Sequence, residues 1–226
     1  MEIKKSTLYI VATPIGNLED ISLRALQVLK HVDAIICEDT RVTSRLLSRY
    51  EIPRKPLISH FKNQEAKSID TILSRLQNGE SCALVSDAGT PGVSDPGNFL
   101  VKHVINAGFT VVPIPGPSAV TALMSVSHRL IPHAYFEGFL PHKKGRKTRL
   151  EFLAECQDPV ILYESTHRII KCLEQILTYF GDRQILVGRE LTKLHETVFR
   201  GSCSQALEFF KDHSVKGEFV LIVFPR

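Results

Sequence analysis

Apolar residues in this chain fall into short unbroken runs, each halted by small turn-forming residues, with segments of helical period between them. Thr7-Leu8-Tyr9-Ile10-Val11-Ala12, Asp33-Ala34-Ile35-Ile36-Cys37, Cys82-Ala83-Leu84-Val85 and Thr110-Val111-Val112-Pro113 are runs of this kind. Such runs, bounded by turn signals, read as strands buried on both faces, as in a parallel sheet. Between them, Leu23, Leu26, Val28 and Leu29 follow a capping Ser22; then come Leu46 and Leu47; then Ile69, Ile72, Leu73 and Leu76; then the span from Phe99 to Ala107. Their spacing predicts helices. A weaker run, Leu57-Ile58-Ser59-His60-Phe61, precedes the third helix, which Asn78-Gly79 ends. Alternating strands and helices predict a mostly parallel sheet.

A sharp turn at Ile114-Pro115-Gly116-Pro117-Ser118-Ala119 separates this half from the next, so we expect domains at 1–115 and 116–226. Beyond it, Ala134 to Phe139, Pro159 to Tyr163, Gln184 to Val187 and Phe219 to Val223 read as strands, and His195 to Phe199 is a weaker candidate. Helices are expected near Val120 to Val126, Thr148 to Leu153, Thr166 to Tyr179 and Ser204 to Phe210. The fold class is therefore α/β, with two α/β domains, the second built on a mixed sheet.

Chemistry-bearing residues collect where strands end. From Ala83 to Gly97 an apolar run gives way to a loop holding Asp87, Gly89, Pro91, Gly92, Asp95, Pro96 and Gly97. Ligands bind beyond the carboxyl ends of strands in open α/β sheets, and glycines let backbone amides approach them. The bland alternative is an ordinary connection to the next helix. Thr13-Pro14-Ile15-Gly16-Asn17 and Glu38-Asp39-Thr40-Arg41 stand at two other strand ends, where Asp39 or Thr40 equally suits a helix cap. Ser118 caps the helix that opens on the Pro-Gly-Pro turn. That amino terminus suits a carboxylate or ribose hydroxyl, or serves only as a connector. In the second half, Glu164 to Arg168 and Gly188 to Lys193 follow strands, although such residues singly are more often surface ion-pair members.

Composition adds constraints. The chain has 226 residues, 43% of them hydrophobic, enough for a real core. A formal charge of +4 neither requires nor opposes a nucleic-acid partner. Local density says more: Lys143, Lys144, Arg146, Lys147 and Arg149 put five cations into seven positions. This reads as a phosphate-contacting loop or as a solvated basic turn. Five cysteines without C-x-x-C spacing argue against a disulfide framework or a zinc site, and Cys37 and Cys82 read as small buried hydrophobes. We see no signal peptide, membrane span or metal-ligand cluster, and expect a cytoplasmic protein that needs no metal.

Thr13 to Asn17, Glu38 to Arg41, Ser86 to Gly97, Pro115 to Ala119 and Tyr163 to Arg168 together resemble the tetrapyrrole methylase superfamily, and within it the enzymes that methylate small-subunit ribosomal RNA. The resemblance runs over nearly the whole chain in the right order. It implies two α/β domains with S-adenosyl-L-methionine in the cleft between them, and a homodimer. It also implies methylation of a cytidine ribose 2′-hydroxyl in the decoding region of 16S RNA; the expected partner is small-subunit ribosomal RNA, with the assembled small subunit and free RNA both open as its form. Tetrapyrrole-modifying relatives usually carry Gly-Asp-Pro where Ser86-Asp87-Ala88 stands here, which favours the RNA enzymes. Many relatives carry a further C-terminal segment beyond the position of Pro225-Arg226.

Physics and resemblance agree on the cofactor's needs: backbone donors and acceptors, an apolar slot for adenine, and few cations beside the sulfonium. The expected set is Pro14, Asp87, Ala88, Gly89, Gly92, Val93, Ser118, Ala119, Tyr163 and Glu164. A general base would assist the weakly acidic ribose hydroxyl. His60, Glu164, His167, Glu190 and Lys193 are candidates, with Glu164 and Lys193 preferred, and the basic stretch is expected to grip the RNA. A precorrin-type small-molecule methyltransferase and a non-catalytic nucleotide- or RNA-binding module are the rival readings.

Overall fold

A computed structural model describes residues 2–60, 65–213 and 215–226, the side chains of 65–67 excepted, so the expected strand residue Phe61 lies outside the described residues. The chain divides into two units just after Ser118, rather than after Pro115. Among the described residues no helix is long and apolar enough to cross a membrane.

The first unit runs β1 (Thr7–Val11), α1 (Leu23–His31), β2 (Ala34–Cys37), α2 (Thr40–Arg49), β3 (Leu57–Ser59), α3 (Glu65–Gln77), β4 (Cys82–Val85), α4 (Asn98–Asn106) and β5 (Thr110–Ile114). Its strands are all parallel, in the order β3-β2-β4-β1-β5. Side chains alternate along each strand, so neighbours serve opposite faces. Tyr9, Val11, Ile35, Cys37 and Val85 pack with Val28 and Leu29 of α1 and Leu46 and Leu47 of α2. Leu8, Ala34, Ile36 and Leu84 pack with Ile72 and Leu76 of α3 and Leu100 and Val104 of α4. That double burial is why these runs are apolar without interruption. Each fully buried Leu, Ile or Val contributes about 1.5–3 kcal/mol.

Topology then places the site. The chain leaves β2 toward the outer strand β3 and leaves β4 toward β5 at the other edge. Connections that diverge open a crevice at the carboxyl ends of β2 and β4. Side-chain caps fix where the flanking helices begin: Ser22 Oγ accepts from Ala25 N, and Asp39 accepts from Arg41 N.

The second unit runs α5 (Ala119–Ser125), β6 (Tyr135–Phe139), α6 (Arg146–Ala154), β7 (Val160–Ser165), α7 (Ile169–Phe180), β8 (Gln184–Arg189), β9 (Thr197–Ser202), α8 (Cys203–Asp212) and β10 (Glu218–Val223). The sheet order is β6-β7-β10-β8-β9, with β6 and β7 parallel and the remaining pairs antiparallel. Leu162, Val187 and Leu221 pack under α6, α7 and α8, represented by Leu150, Leu173 and Phe210. The weak strand expected at His195 to Phe199 is β9, shifted toward the carboxyl side. Its last residue, Ser202, opens α8 in a reciprocal capping box with Gln205. Cys37, Cys82, Cys172 and Cys203 are buried free thiols, and desolvation pushes Cys82 up to about 11.

Candidate functional site

Three turns of the first unit come together beyond its strands. Thr13 N donates to Gly89 O at 2.9 Å and Gly89 N returns a bond to Thr13 O at 3.0 Å. Thr13 Oγ1 donates to Ser86 O, and Ser86 Oγ to Gly89 O, each at 2.9 Å. Gly116 lies so close to β1 that a Cβ there would stand 3.0 Å from the Ala12 Cβ. The loop after β4 is thus tied to the loop after β1, and the Pro115 to Ser118 turn is pressed beside it.

Backbone shape within the Asp87 loop depends on glycine at two places. Gly92 has φ +81°, and a Cβ there would meet Asn98 Oδ1 at 2.7 Å, where Asn98 Nδ2 donates to Gly92 O. Gly97 has φ +138° and opens α4 with its α-carbon against Leu84. Ala88 and Val93 are exposed, Gly92 is half-buried, and Gly89 is buried.

A cavity of about 260 Å³ lies against these turns, lined by Thr13, Pro14 and Leu18 from the β1 loop, Ser86 and Asp87 from the β4 loop, and Val42, Thr43, Arg45 and Leu46 of α2. Its volume falls below the roughly 300–1,000 Å³ of drug-sized pockets, so it suits part of a nucleoside. Leu18 is held by a short 3₁₀ turn over Leu18–Asp20, and Tyr50 Oη donates to its carbonyl.

Acidic groups dominate the rim. Asp39 N donates to Asp87 Oδ1 at 3.2 Å, tying the β4 loop to the start of α2. Bonds from the Arg41 side chain, then its backbone N–H, pull the Asp39 carboxyl down to about 2. Asp87 moves the other way: desolvation raises its pKa against the pull of the Asp39 N–H, and the Asp39 charge adds to the rise. Glu38 is also raised, by burial and then by Asp87 and Asp39. Arg41 is already committed to Asp39. Carboxylates beside exposed backbone suit a sulfonium and an ammonium, and Arg45 is the cation that lines the same cavity.

The second unit corrects several expectations. Glu164 is buried, its Oε1 2.7 Å from Arg168 Nε without hydrogen-bond alignment, its Oε2 3.7 Å from Arg146 Nη2 and lacking a hydrogen bond. Ser165 N donates to the same Oε1. A carboxylate with no exposed surface, set between two guanidiniums, is not placed to take a proton from a ribose or to touch a cofactor. Lys193 donates to Glu190 at 2.8 Å and Glu218 at 2.9 Å. Burial acts to lower its pKa, but those two bonds outweigh it and the net shift is upward. An ammonium held so is no general base.

His60 is buried with Nδ1 2.7 Å from Ser68 Oγ, His167 is exposed, and Glu190 is bound to Lys193 and to Glu218 N. Tyr163 packs against the rings of Phe136 and Phe139. Ser118 ends the first unit and Ala119 begins α5.

The basic stretch divides. Lys143, Lys144 and Lys147 are exposed, the last near Glu151 at 3.7 Å. Arg146 is buried, donating from Nε to Gln175 Oε1 and from Nη1 to Pro141 O. Arg149 is paired with Glu137 and Tyr135. Of the five expected RNA contacts, Arg146 is thus a buried cation and Arg149 is half-buried and paired. A sequence signal existed for Arg146: it shares a helical face with Leu150 and Leu153, at spacings of four and seven. Leu18 and Val42 were missed as cavity residues because nothing polar marks them.

A glycine-rich loop at the carboxyl end of a parallel sheet, followed by a second, mixed α/β unit, defines an α/β enzyme that binds a nucleoside-bearing cofactor. The chain belongs to the family described as Tetrapyrrole (Corrin/Porphyrin) Methylases, whose model matches residues 7–207. It is 44% identical over 216 residues to a protein of Thermotoga maritima named Ribosomal RNA small subunit methyltransferase I, covering 96% of this chain and 97% of that one. A protein of the same name from Borrelia garinii subsp. bavariensis is 47% identical over 221 residues, with 96% and 97% covered. Among solved structures, a cobalt precorrin-4 methyltransferase superposes with TM-score 0.68 at 16% identity, covering 97% of this chain and 95% of that one. A uroporphyrin-III-C-methyltransferase from Thermus thermophilus gives 0.67 at 18%, with 97% and 94% covered. These two likenesses concern the fold.

Proposed function

We propose that this chain transfers a methyl group from S-adenosyl-L-methionine to a ribose 2′-hydroxyl of a cytidine in the decoding region of small-subunit ribosomal RNA. The observation that carries the reading is identity of 44–47% over 96% of the chain with relatives named for that RNA. Family membership makes the methyl donor the cofactor. The negative rim around Asp87 and the cavity beside Pro14 are consistent with a cationic nucleoside.

Pro14, Asp87, Ala88, Gly89, Gly92, Val93 and Ser118 are the proposed cofactor set in the first unit, and Ala119 and Tyr163 are kept from the second. The bound cofactor supplies an electrophilic methyl on a sulfonium. The chain's own share is to hold ammonium and backbone-binding groups with Asp87 and the glycine loop. Orienting two reactants in line contributes roughly 7–11 kcal/mol, so positioning can supply most of the acceleration without a strong base. Lys143, Lys144 and Lys147 are the proposed phosphate contacts. The substrate is the assembled subunit, and the chain acts as a homodimer in the cytoplasm.

The test incubates the protein with methyl-labelled cofactor and either unmodified small subunits or free ribosomal RNA, then digests the RNA with alkali. A 2′-O-methyl group removes the nucleophile for strand cleavage, so label in an alkali-resistant dinucleotide, from subunits above free RNA, is expected. Label entering a tetrapyrrole and no RNA would overturn the reading. Light scattering at working concentration checks the dimer.

A further inference from the structure

We propose that Glu164, Arg146 and Arg168 form a buried clamp that sets the shape of the basic turn at 141–145, making Glu164 and Arg168 positioning residues for RNA. The proposal rests on the RNA reading above. Its ground is an arrangement of two guanidiniums around one carboxylate. Arg168 Nη1 donates to Leu140 O at 3.1 Å and Arg146 Nη1 donates to Pro141 O at 3.0 Å. Successive carbonyls at the root of the turn are thus each held by an arginine, and both arginines face Glu164.

Three elements meet there. Glu164 lies near the end of β7, Arg168 precedes α7, and Arg146 opens α6 after Gly145 at φ +79°. Gln175 of α7 fixes the Arg146 Nε at 2.8 Å. Arg168 also stands over the Phe139 ring, 6.0 Å from its centroid. A planar guanidinium can hold a carboxylate and a carbonyl at once, which an ammonium does less well. Isolated charges so buried would be expensive; one carboxylate between two cations makes the group tolerable. The exposed Lys143 and Lys144 lie just past the two held carbonyls. A turn ordered before binding loses less entropy when it meets phosphate.

The experiment compares wild type with Arg168→Gln, Arg168→Lys and the milder Gln175→Ala. Trypsin cleavage after Lys143 and Lys144 reads the turn directly, because cleavage follows the population of opened chain. Losing a charge-assisted bond should raise that cleavage roughly tenfold in Arg168→Gln, with Arg168→Lys intermediate and Gln175→Ala smaller in the same direction. KM for small subunits should rise by a similar factor while kcat and cofactor affinity stay unchanged. Unchanged cleavage and KM in folded Arg168→Gln would overturn the clamp; should that variant fail to fold, unchanged cleavage in Gln175→Ala would do so. If wild type methylates no RNA, the function fails, and the cleavage series still judges the clamp.

Discussion

Asp87 stands exposed just past the end of β4, its Oδ1 accepting from Asp39 N, and burial of part of the carboxyl raises its pKa. Asp87→Ala should leave the fold intact and reduce affinity for S-adenosyl-L-methionine roughly 10–100-fold, the worth of a hydrogen bond to a charged group, as measured by calorimetry. Its carboxylate protonates as pH falls, and because its pKa lies above the ordinary 3.8, acid should weaken binding earlier than an ordinary aspartate would predict. Asp87→Asn should flatten that acid limb. Lys193 is a structural contrast. Its folded pKa is raised, so its contribution to stability is complete below the unfolded value of 10.5 and disappears as pH climbs past the folded one. Glu190 has a lowered pKa, the net of opposing burial and the stronger pull of Lys193 and its neighbours, so its contribution is present above 4.5 and is lost in acid. Lys193→Met should cost about 1 kcal/mol or less, as surface pairs do, across the window between these limits. The difference should vanish outside it when urea midpoints are followed against pH.

Helix beginnings and loop glycines carry the next level of organisation. α4 starts at a glycine whose φ of +138° and approach to Leu84 leave no room for a side chain, since a Cβ would stand 2.9 Å from Leu84 Cδ2. Gly108, just after the same helix, also has positive φ, yet a Cβ there meets nothing within 4 Å. Gly97→Ala should therefore destabilise by roughly 1–3 kcal/mol, the range for a strained backbone, and Gly108→Ala by less. Denaturant midpoints of the two variants make the comparison. The Asp39 cap of α2 shows that a helix start and a charged rim can use one residue, so the cap and site readings of Glu38 to Arg41 are compatible.

Across the molecule, charge is unevenly placed. The first unit presents carboxylates at its strand ends, while the second presents lysines on the turn before α6. Replacing Lys143, Lys144 and Lys147 together by alanine should weaken binding to small-subunit RNA and flatten its salt dependence, because every phosphate left without its lysine takes about 0.7–0.9 off the slope. A filter-binding series between low and moderate salt reads both effects. Arg146→Ala belongs to a different class of change, because it empties one side of a buried ion pair.

Much of the architecture was legible in the chain because its causes are local. Strands buried on both faces are apolar nearly throughout, as β2 and β4 are and as β1 is from Leu8 onward; helix starts need an acceptor, and Ser22 and Asp39 supply it. The Asp87 loop announced itself through glycines that backbone geometry demands. Partnership among charges was not legible in the same way. Lys143, Arg146 and Arg149 look alike in a row of cations, yet the start of α6 turns Arg146 inward to Glu164, Arg149 toward Glu137, and leaves Lys143 in water. Glu164 reads in the sequence as a base candidate or a surface ion-pair member, and in the fold three elements close around it. Local sequence sets which backbone a segment adopts; only packing sets which charges lose their water, and with it which of them remain available for chemistry.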